Sequence, residues 1–269
     1  MDNPLDFSHK TVFVAGGTSG INLGIAQGFA QAGARVSVIS RSADKVARAV
    51  SLLQDTGAEA IGFSADVRDY QAVEDTLRDT HARFGTIDVL ISGAAGNFPA
   101  AVLDMSANAF KSVVDIDLLG TFNVVRAGHA FLRKPGASVI NISAPQAYVP
   151  SPLQAHVCAA KAGVDMLTRV LALEWGAEGL RVNSIVPGPI EGTEGMARLA
   201  PTPEILAAVT ESVPAGRLGT PEDIAKAAML LASPLCEYVN GSVFPVDGGW
   251  SLMGFGTVMK KMSQVMKNE

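Results

Sequence analysis

Short apolar runs and longer helix-period stretches alternate along this chain from end to end, and that alternation constrains the fold more than any single motif. The segments "TVFVA" (11–15), "RVSVIS" (35–40), "AIGFSA" (60–65), "DVLIS" (88–92), "SVINIS" (138–143), "RVNSIV" (181–186) and "SVFPV" (242–246) read as strands. Their near-continuous β-branched character marks strands covered on both faces, the condition of a parallel sheet. Between them lie helical patterns such as "GIAQGFAQAG" (24–33), ending on Gly33, and "SADKVARAVSLLQDTG" (42–57), opening on Ser42 and closing on Gly57. Ser caps a helix start and Gly a helix end. Strand–helix alternation with short loops requires right-handed crossovers, so the expected fold is α/β. It is a single Rossmann-type doubly wound parallel sheet of about seven strands with helices on both faces. No linker, repeat or low-complexity tract divides the 269 residues, so one domain over 1–269 is expected. The segment 189–220, rich in Pro, Gly and Thr, reads as one long irregular insertion. It follows a strand's carboxyl end, where such sheets bind ligands, and is expected to be a mobile lid.

Composition removes several classes of function. A formal charge of −5, with Lys and Arg scattered, argues against a nucleic-acid partner. Two cysteines, Cys158 and Cys236, make no disulfide framework, and neither has metal-ligand spacing to another Cys or His. No metal site is expected. The start "MDNPLDFSHK" lacks a secretory pattern and no apolar run is long enough to span a bilayer. The expectation is a cytoplasmic protein without membrane insertion.

"VAGGTSGINLG" leads from the first strand into the first helix. Glycines 16, 17 and 20 permit positive φ and close backbone approach, and a helix N-terminus offers N–H groups to a pyrophosphate. A tight turn after a strand is the plainer reading of such a loop. Its place before the first helix, with a second strand ending in "SVISRS", favours dinucleotide binding. There an acidic residue would hold the ribose 2′-hydroxyl of NAD. Ser40 and Arg41 stand there instead and suit the 2′-phosphate of NADP(H).

These landmarks, with "ADV" at 65–67, "SGAAG" at 92–96, Lys161, "RVNSIVPGPI" at 181–190 and "PVDGG" at 245–249, resemble the short-chain dehydrogenase/reductase family from residue 10 to about 250. The resemblance implies a cofactor site of Gly16, Thr18, Ser19, Gly20, Ile21, Ser40, Arg41 and Gly96. It further implies that Asp66 and Val67 contact the adenine and Lys161 the nicotinamide ribose. Pro187, Gly188 and Ile190 would line the nicotinamide, and Thr193 would touch the cofactor's diphosphate or amide. Asn22 replaces the usual last glycine of the loop, a place where Asn tolerates left-handed backbone.

The family's usual acid is missing. A tyrosine is expected four residues before Lys161 and a serine thirteen before that tyrosine, but the positions hold Val157 and Ala144. Loss of a positioned general acid costs about 10²–10⁴-fold, so ordinary ketone or alcohol chemistry is disfavoured. "AAGNF" at 94–98 and Asp117 in "VVDIDLLGTFNV" resemble instead the 2,4-dienoyl-CoA reductases, most closely the peroxisomal type. That resemblance implies NADPH-dependent reduction of an acyl-CoA-type thioester to a 3-enoyl product. Asn97 would hydrogen-bond the thioester oxygen, while Asp117 and Lys161 hold the water that protonates carbon. Phe98, Tyr148, Met196 and Leu199 are candidate substrate contacts. The tail "MKNE" carries no peroxisomal address, which favours a cytosolic relative. The resemblance also implies a homotetramer or homodimer, packed through the helices carrying Asp117 and Lys161.

Plainer readings stand beside these. Asp117 could merely satisfy Lys161 or neighbouring backbone, and Asn97 could be a turn residue. Asp115 is expected to face elsewhere. His156 adjoins Val157, but successive helical residues diverge by about 100°, so it should not share the face of Lys161. A carbonyl reductase using Tyr148 or His156 as acid, and a non-catalytic NADP-binding protein, remain the alternatives.

Overall fold

The structure is a computed structural model that describes residues 3–254. Seven strands form one sheet: β1 (Thr11–Ala15), β2 (Arg35–Ser40), β3 (Ala60–Ser64), β4 (Val89–Ser92), β5 (Ser138–Ile142), β6 (Arg181–Pro187) and β7 (Val243–Val246). Their order is β3-β2-β1-β4-β5-β6-β7 and every pairing is parallel. Val12 sits opposite both Val36 of β2 and Val89 of β4, so β1 is where the strand order reverses. A crevice opens at the carboxyl ends of strands at such a reversal.

The two-residue period of the strands sorts their side chains onto two helical layers. Val12, Val14, Val36, Val38, Ile91 and Ile140 pack with Phe29 of α1 (Gly20–Gln31), Leu53 of α2 (Ala43–Gln54) and Leu231 of α9 (Pro221–Ala232). Phe13, Ala15, Ile39, Leu90 and Val139 face the other way. They meet Leu77 of α3 (Tyr70–Phe84), Val124 of α5 (Gly120–Gly128) and Trp175 of α6 (Ala155–Trp175). Helix α4 (Ala107–Val114) precedes α5 on this second face. Glycine sets one close helix contact: a Cβ at Gly24 would lie 2.4 Å from Pro221 Cβ, and one at Gly28 2.9 Å from Ala225 Cβ. Ser42 caps α2 through Lys45 N–H, and Gly33 and Gly57 take positive φ of 90° and 86°.

Residues 189–220 depart from the irregular segment that their composition suggests. They contain α7 (Glu194–Leu199) and α8 (Pro203–Ser212). Thr193 and Thr202 accept hydrogen bonds from the backbone N–H groups of Met196 and Ile205, and Pro203 stands at the start of α8. The base of the segment is closed by Glu191 N–H to Gly219 O and Gly219 N–H to Pro189 O, both 2.9 Å. Among the described residues no helix is long and apolar enough to cross a membrane.

Candidate active site

A cleft of about 500 Å3 lies along the carboxyl ends of the strands, roofed by the 189–220 segment. Sequence-distant residues converge on it. Gly16, Thr18, Ser19, Gly20 and Ile21 come from the β1–α1 turn; Ser40 and Arg41 from the end of β2; Asp66 and Val67 from the end of β3. Gly96 and Asn97 follow β4, while Pro187, Gly188, Ile190 and Thr193 follow β6. Asp117 and Lys161 reach it from the helices, and Met196 and Leu199 from the roof. Each cofactor residue expected from the sequence therefore lines one cleft.

The β1–α1 turn fits a dinucleotide's pyrophosphate. Gly16 and Gly20 take φ of 77° and 52°, and a Cβ on Gly16 would come within 2.9 Å of the Ala94 backbone. Ser19, at the start of α1, makes no side-chain cap, so the first N–H groups of this helix remain available at the cleft. Asn22 departs from the expectation of left-handed backbone. It lies inside α1, buried, and its Nδ2 donates to Gly93 O at 2.6 Å. It ties the first helix to the loop after β4 and takes up space that a Cβ on Gly93 would occupy, 2.2 Å from Asn22 Oδ1.

At the adenosine end, Ser40 and Arg41 line the cleft and Arg41 is exposed. Arg68 donates from Nη2 to Asp66 Oδ2 at 2.6 Å, which together with the nearby Arg41 charge holds the Asp66 carboxyl below its ordinary range. Lys45 also borders the cleft and reaches the roof, 2.9 Å from Glu194 Oε1. Arg198, 3.5 Å from Glu194 Oε2, donates from Nη1 to Asn97 O at 2.8 Å. Lys45, Glu194 and Arg198 were not singled out from the sequence; only Arg198 four residues after Glu194 signals a pair.

At the other end lies the group best suited to chemistry. Helix α4 passes into α5 through one wide π turn, Asp115–Leu119, which carries Asp117 inward until it is 1% exposed. Such turns often re-aim a functional side chain. Asp117 Oδ1 accepts from Gly96 N–H at 2.7 Å and Oδ2 lies 3.3 Å from Lys161 Nζ. Lys161 Nζ donates to Ile142 O at 3.0 Å. An ammonium has three N–H bonds, which leaves one for a water or a substrate. Asp115 faces elsewhere and pairs with Lys111. Asn97 lines the cleft, and its Oδ1 is buried without a hydrogen-bond partner.

Val157 and Ala144 line the cleft beside this pair, so apolar groups stand where the usual phenol and hydroxyl would be. The rival acids are elsewhere. Tyr148 does not border the cleft; its hydroxyl donates to Ser251 Oγ at 3.4 Å. His156 is fully buried against Phe98, ring centroids 4.4 Å apart, and neither borders the cleft. The cleft lining includes neither Phe98 nor Tyr148: Phe98 packs on His156 and Tyr148 bonds Ser251. Asp165, one turn beyond Lys161, accepts from Ser184 Oγ at 2.9 Å, and burial pushes its carboxyl above the ordinary range. Among the described residues, no group of three or more His, Cys, Asp or Glu is placed to hold a metal ion.

A reversed parallel sheet, an open helix N-terminus at its crevice and a buried lysine at the far end define a dinucleotide-dependent oxidoreductase. A family model described as Enoyl-(Acyl carrier protein) reductase matches residues 15–251. The chain belongs to the short-chain dehydrogenase/reductase family, whose members bind a nicotinamide cofactor. It is 45% identical over 242 residues to the (3E)-enoyl-CoA-producing peroxisomal 2,4-dienoyl-CoA reductase of Rattus norvegicus, covering 89% of this chain and 83% of that protein. The Arabidopsis thaliana protein of the same name is 42% identical over 250 residues, 89% of this chain and 84% of the other. A crystal structure of a short chain dehydrogenase from Bacillus anthracis superposes with a TM-score of 0.81 at 37% identity, covering 90% of this chain and 96% of that one.

Proposed function

We propose that this chain reduces 2,4-dienoyl-CoA thioesters to 3-enoyl-CoA with NADPH, an auxiliary step in the β-oxidation of unsaturated fatty acids. One observation carries the reading: the buried Asp117–Lys161 pair faces a cleft whose usual acid positions are Val157 and Ala144. The names of the rat and Arabidopsis relatives support the same substrate.

When bound, the cofactor supplies a hydride to the distal carbon of the conjugated system. Negative charge then spreads through the dienolate to the thioester oxygen, where the Asn97 amide donates a hydrogen bond. Lys161 holds the nicotinamide ribose and, with Asp117, a water that delivers the proton to carbon. Because the proton goes to carbon and no alkoxide forms, a phenol beside a carbonyl is not required. Asp117 and Lys161 are in contact at 3.3 Å, so the water is held by the two together and not by either alone. Met196 and Leu199 supply an apolar wall for the acyl chain.

Arg41, a cation without an ion pair among the described residues, with Ser40 beside it, favours NADP(H) over NAD(H). The whole chain, 1–269, serves as one NADP-binding domain with the 189–220 segment as its substrate lid. The outward faces of α5 and α6 expose Phe122, Met166 and Leu173, which suits packing into a homodimer or homotetramer. A cytoplasmic location accords with the composition.

Purified protein should oxidise NADPH with a short dienoyl-CoA and leave a panel of ketones essentially untouched. Rapid turnover of ketones with none of dienoyl-CoA would replace this reading by that of a carbonyl reductase. Cofactor binding without turnover of either would make it a non-catalytic NADP-binding protein.

A further inference from the structure

The cleft holds one polar chain that the reaction above does not use. It runs from the adenosine end to the substrate end through the roof: Lys45 Nζ to Glu194 Oε1 at 2.9 Å, Glu194 Oε2 to Arg198 Nη2 at 3.5 Å, and Arg198 Nη1 to Asn97 O at 2.8 Å. Lys45, Glu194, Arg198 and Asn97 all line the cleft. The geometry is set locally at both ends. Ser42 caps α2 and fixes Lys45 in its first turn, four residues after Arg41. Thr193 caps α7 and fixes Glu194 at its first position, with Arg198 one turn later on the same face.

Lys45 thus stands within the basic corner of Arg41 and Ser40 while its charge is committed to the roof. A phosphate monoester carries close to two negative charges at neutral pH, and a carboxylate one. A phosphate held by Arg41 would be the stronger partner for the Lys45 ammonium and would repel Glu194. The displaced carboxylate has a second partner already in place, Arg198, which holds the Asn97 carbonyl.

We propose that Lys45 is a selectivity residue that exchanges Glu194 for the 2′-phosphate of NADPH, transferring Glu194 to Arg198 and so linking the phosphate to the loop that carries Asn97. The inference rests on the NADP reading of Ser40 and Arg41 and adds to it a competing partner. In the free protein, Glu194 occupies the second phosphate ligand. NADH, with no phosphate, leaves the Lys45–Glu194 pair intact.

Titrations of cofactor fluorescence on the full-length protein test this with NADPH and NADH as probes and no substrate present. Wild type should bind NADPH at least about tenfold more tightly than NADH, the scale of one charge-assisted hydrogen bond. Lys45→Met should raise Kd for NADPH about tenfold and leave Kd for NADH within about twofold. The unchanged NADH value also reports an intact fold. Glu194→Gln should tighten NADPH binding about three- to tenfold without altering NADH, because the competitor has lost its charge. In the Lys45→Met/Glu194→Gln double variant that gain should vanish. Lys45→Met acting equally on both cofactors or on neither would overturn the exchange, as would a Glu194→Gln gain that survives in the double variant. If Arg41→Ala abolishes the preference while Lys45→Met does not, the exchange fails and the NADP reading stands. A wild type without preference defeats both.

Discussion

Lys161 Nζ stands 3.3 Å from Asp117 Oδ2, with both side chains at most 6% exposed and the ammonium also donating to Ile142 O. A carboxylate and an ammonium brought together out of water offset each other's desolvation only when their remaining hydrogen-bonding capacity is met. Here Gly96 N–H meets Asp117 Oδ1 and the Ile142 carbonyl meets Lys161, which leaves one N–H of the ammonium for the cleft.

Replacement of Asp117 separates its chemical from its structural part. Asp117→Ala leaves Lys161 charged and buried, so stability should fall by about 3–5 kcal/mol in urea unfolding. Asp117→Asn keeps an acceptor for Gly96 and nearly the same volume. It should remain folded and bind cofactor, yet lose about 10²–10⁴-fold in kcat with dienoyl-CoA. Full activity in the folded Asn variant would rule out the proposed proton relay.

Asn97 should behave as a donor to developing charge. Its backbone carbonyl is held by Arg198, so removing the side-chain amide leaves the loop tied down. Asn97→Ala should lower kcat/KM by about 10²–10³-fold, the usual loss for one such donor, with the loss residing in kcat. Cofactor affinity should stay within about threefold, since Asn97 is assigned no part in binding it. A change confined to KM would reduce Asn97 to a binding contact.

Much of this site was legible because backbone requirements are written locally. Positive φ at Gly16 and Gly20, a strand before them and a helix after them fix the tight turn from β1 into α1 from local sequence alone. The paired absence of Tyr and Ser at Val157 and Ala144 was equally plain. Asp117 facing the site and Asp115 facing away were both expected, but the π turn that produces this arrangement was not. The contacts of Tyr148 and Phe98 were not legible either, because a loop side chain is placed by what packs on it, here Ser251 and His156. The helices of the 189–220 segment were readable in principle. Thr202 before Pro203 is a helix start, masked by a composition that resembles a loop.

The Asn22–Gly93 contact should show as coupled stability. A Cβ at residue 93 would meet Asn22 Oδ1 at 2.2 Å, so Gly93→Ala must displace a buried side chain and break its bond to the Gly93 carbonyl. The expected loss is about 1–3 kcal/mol in chemical unfolding. Asn22→Ala removes the obstacle, and the Asn22→Ala/Gly93→Ala double variant should be less destabilised than the sum of the two single changes. Strict additivity would show that the two residues do not share the space.

The Arg217–Asp223 ion pair, where the 189–220 segment joins α9, supplies a pH dependence with a definite sign. Asp223 accepts from Arg217 Nη1 and Nη2 at 2.7 and 3.0 Å and from Thr220 N–H at 2.8 Å, where it completes the cap of α9. Arg217 is the main cause that lowers its carboxyl from 3.8 to about 2. The folded state therefore holds the proton less tightly than the unfolded one. The resulting stability is complete above the unfolded value of about 4 and is lost as pH falls through the folded value of about 2. Solvent screening of this partly exposed pair limits the effect to about 1 kcal/mol. Asp223→Asn should be less stable than wild type by about that amount at pH 7, with the gap closing between pH 4 and pH 2. A gap that is constant across that range would assign the loss to the cap's shape instead of its charge.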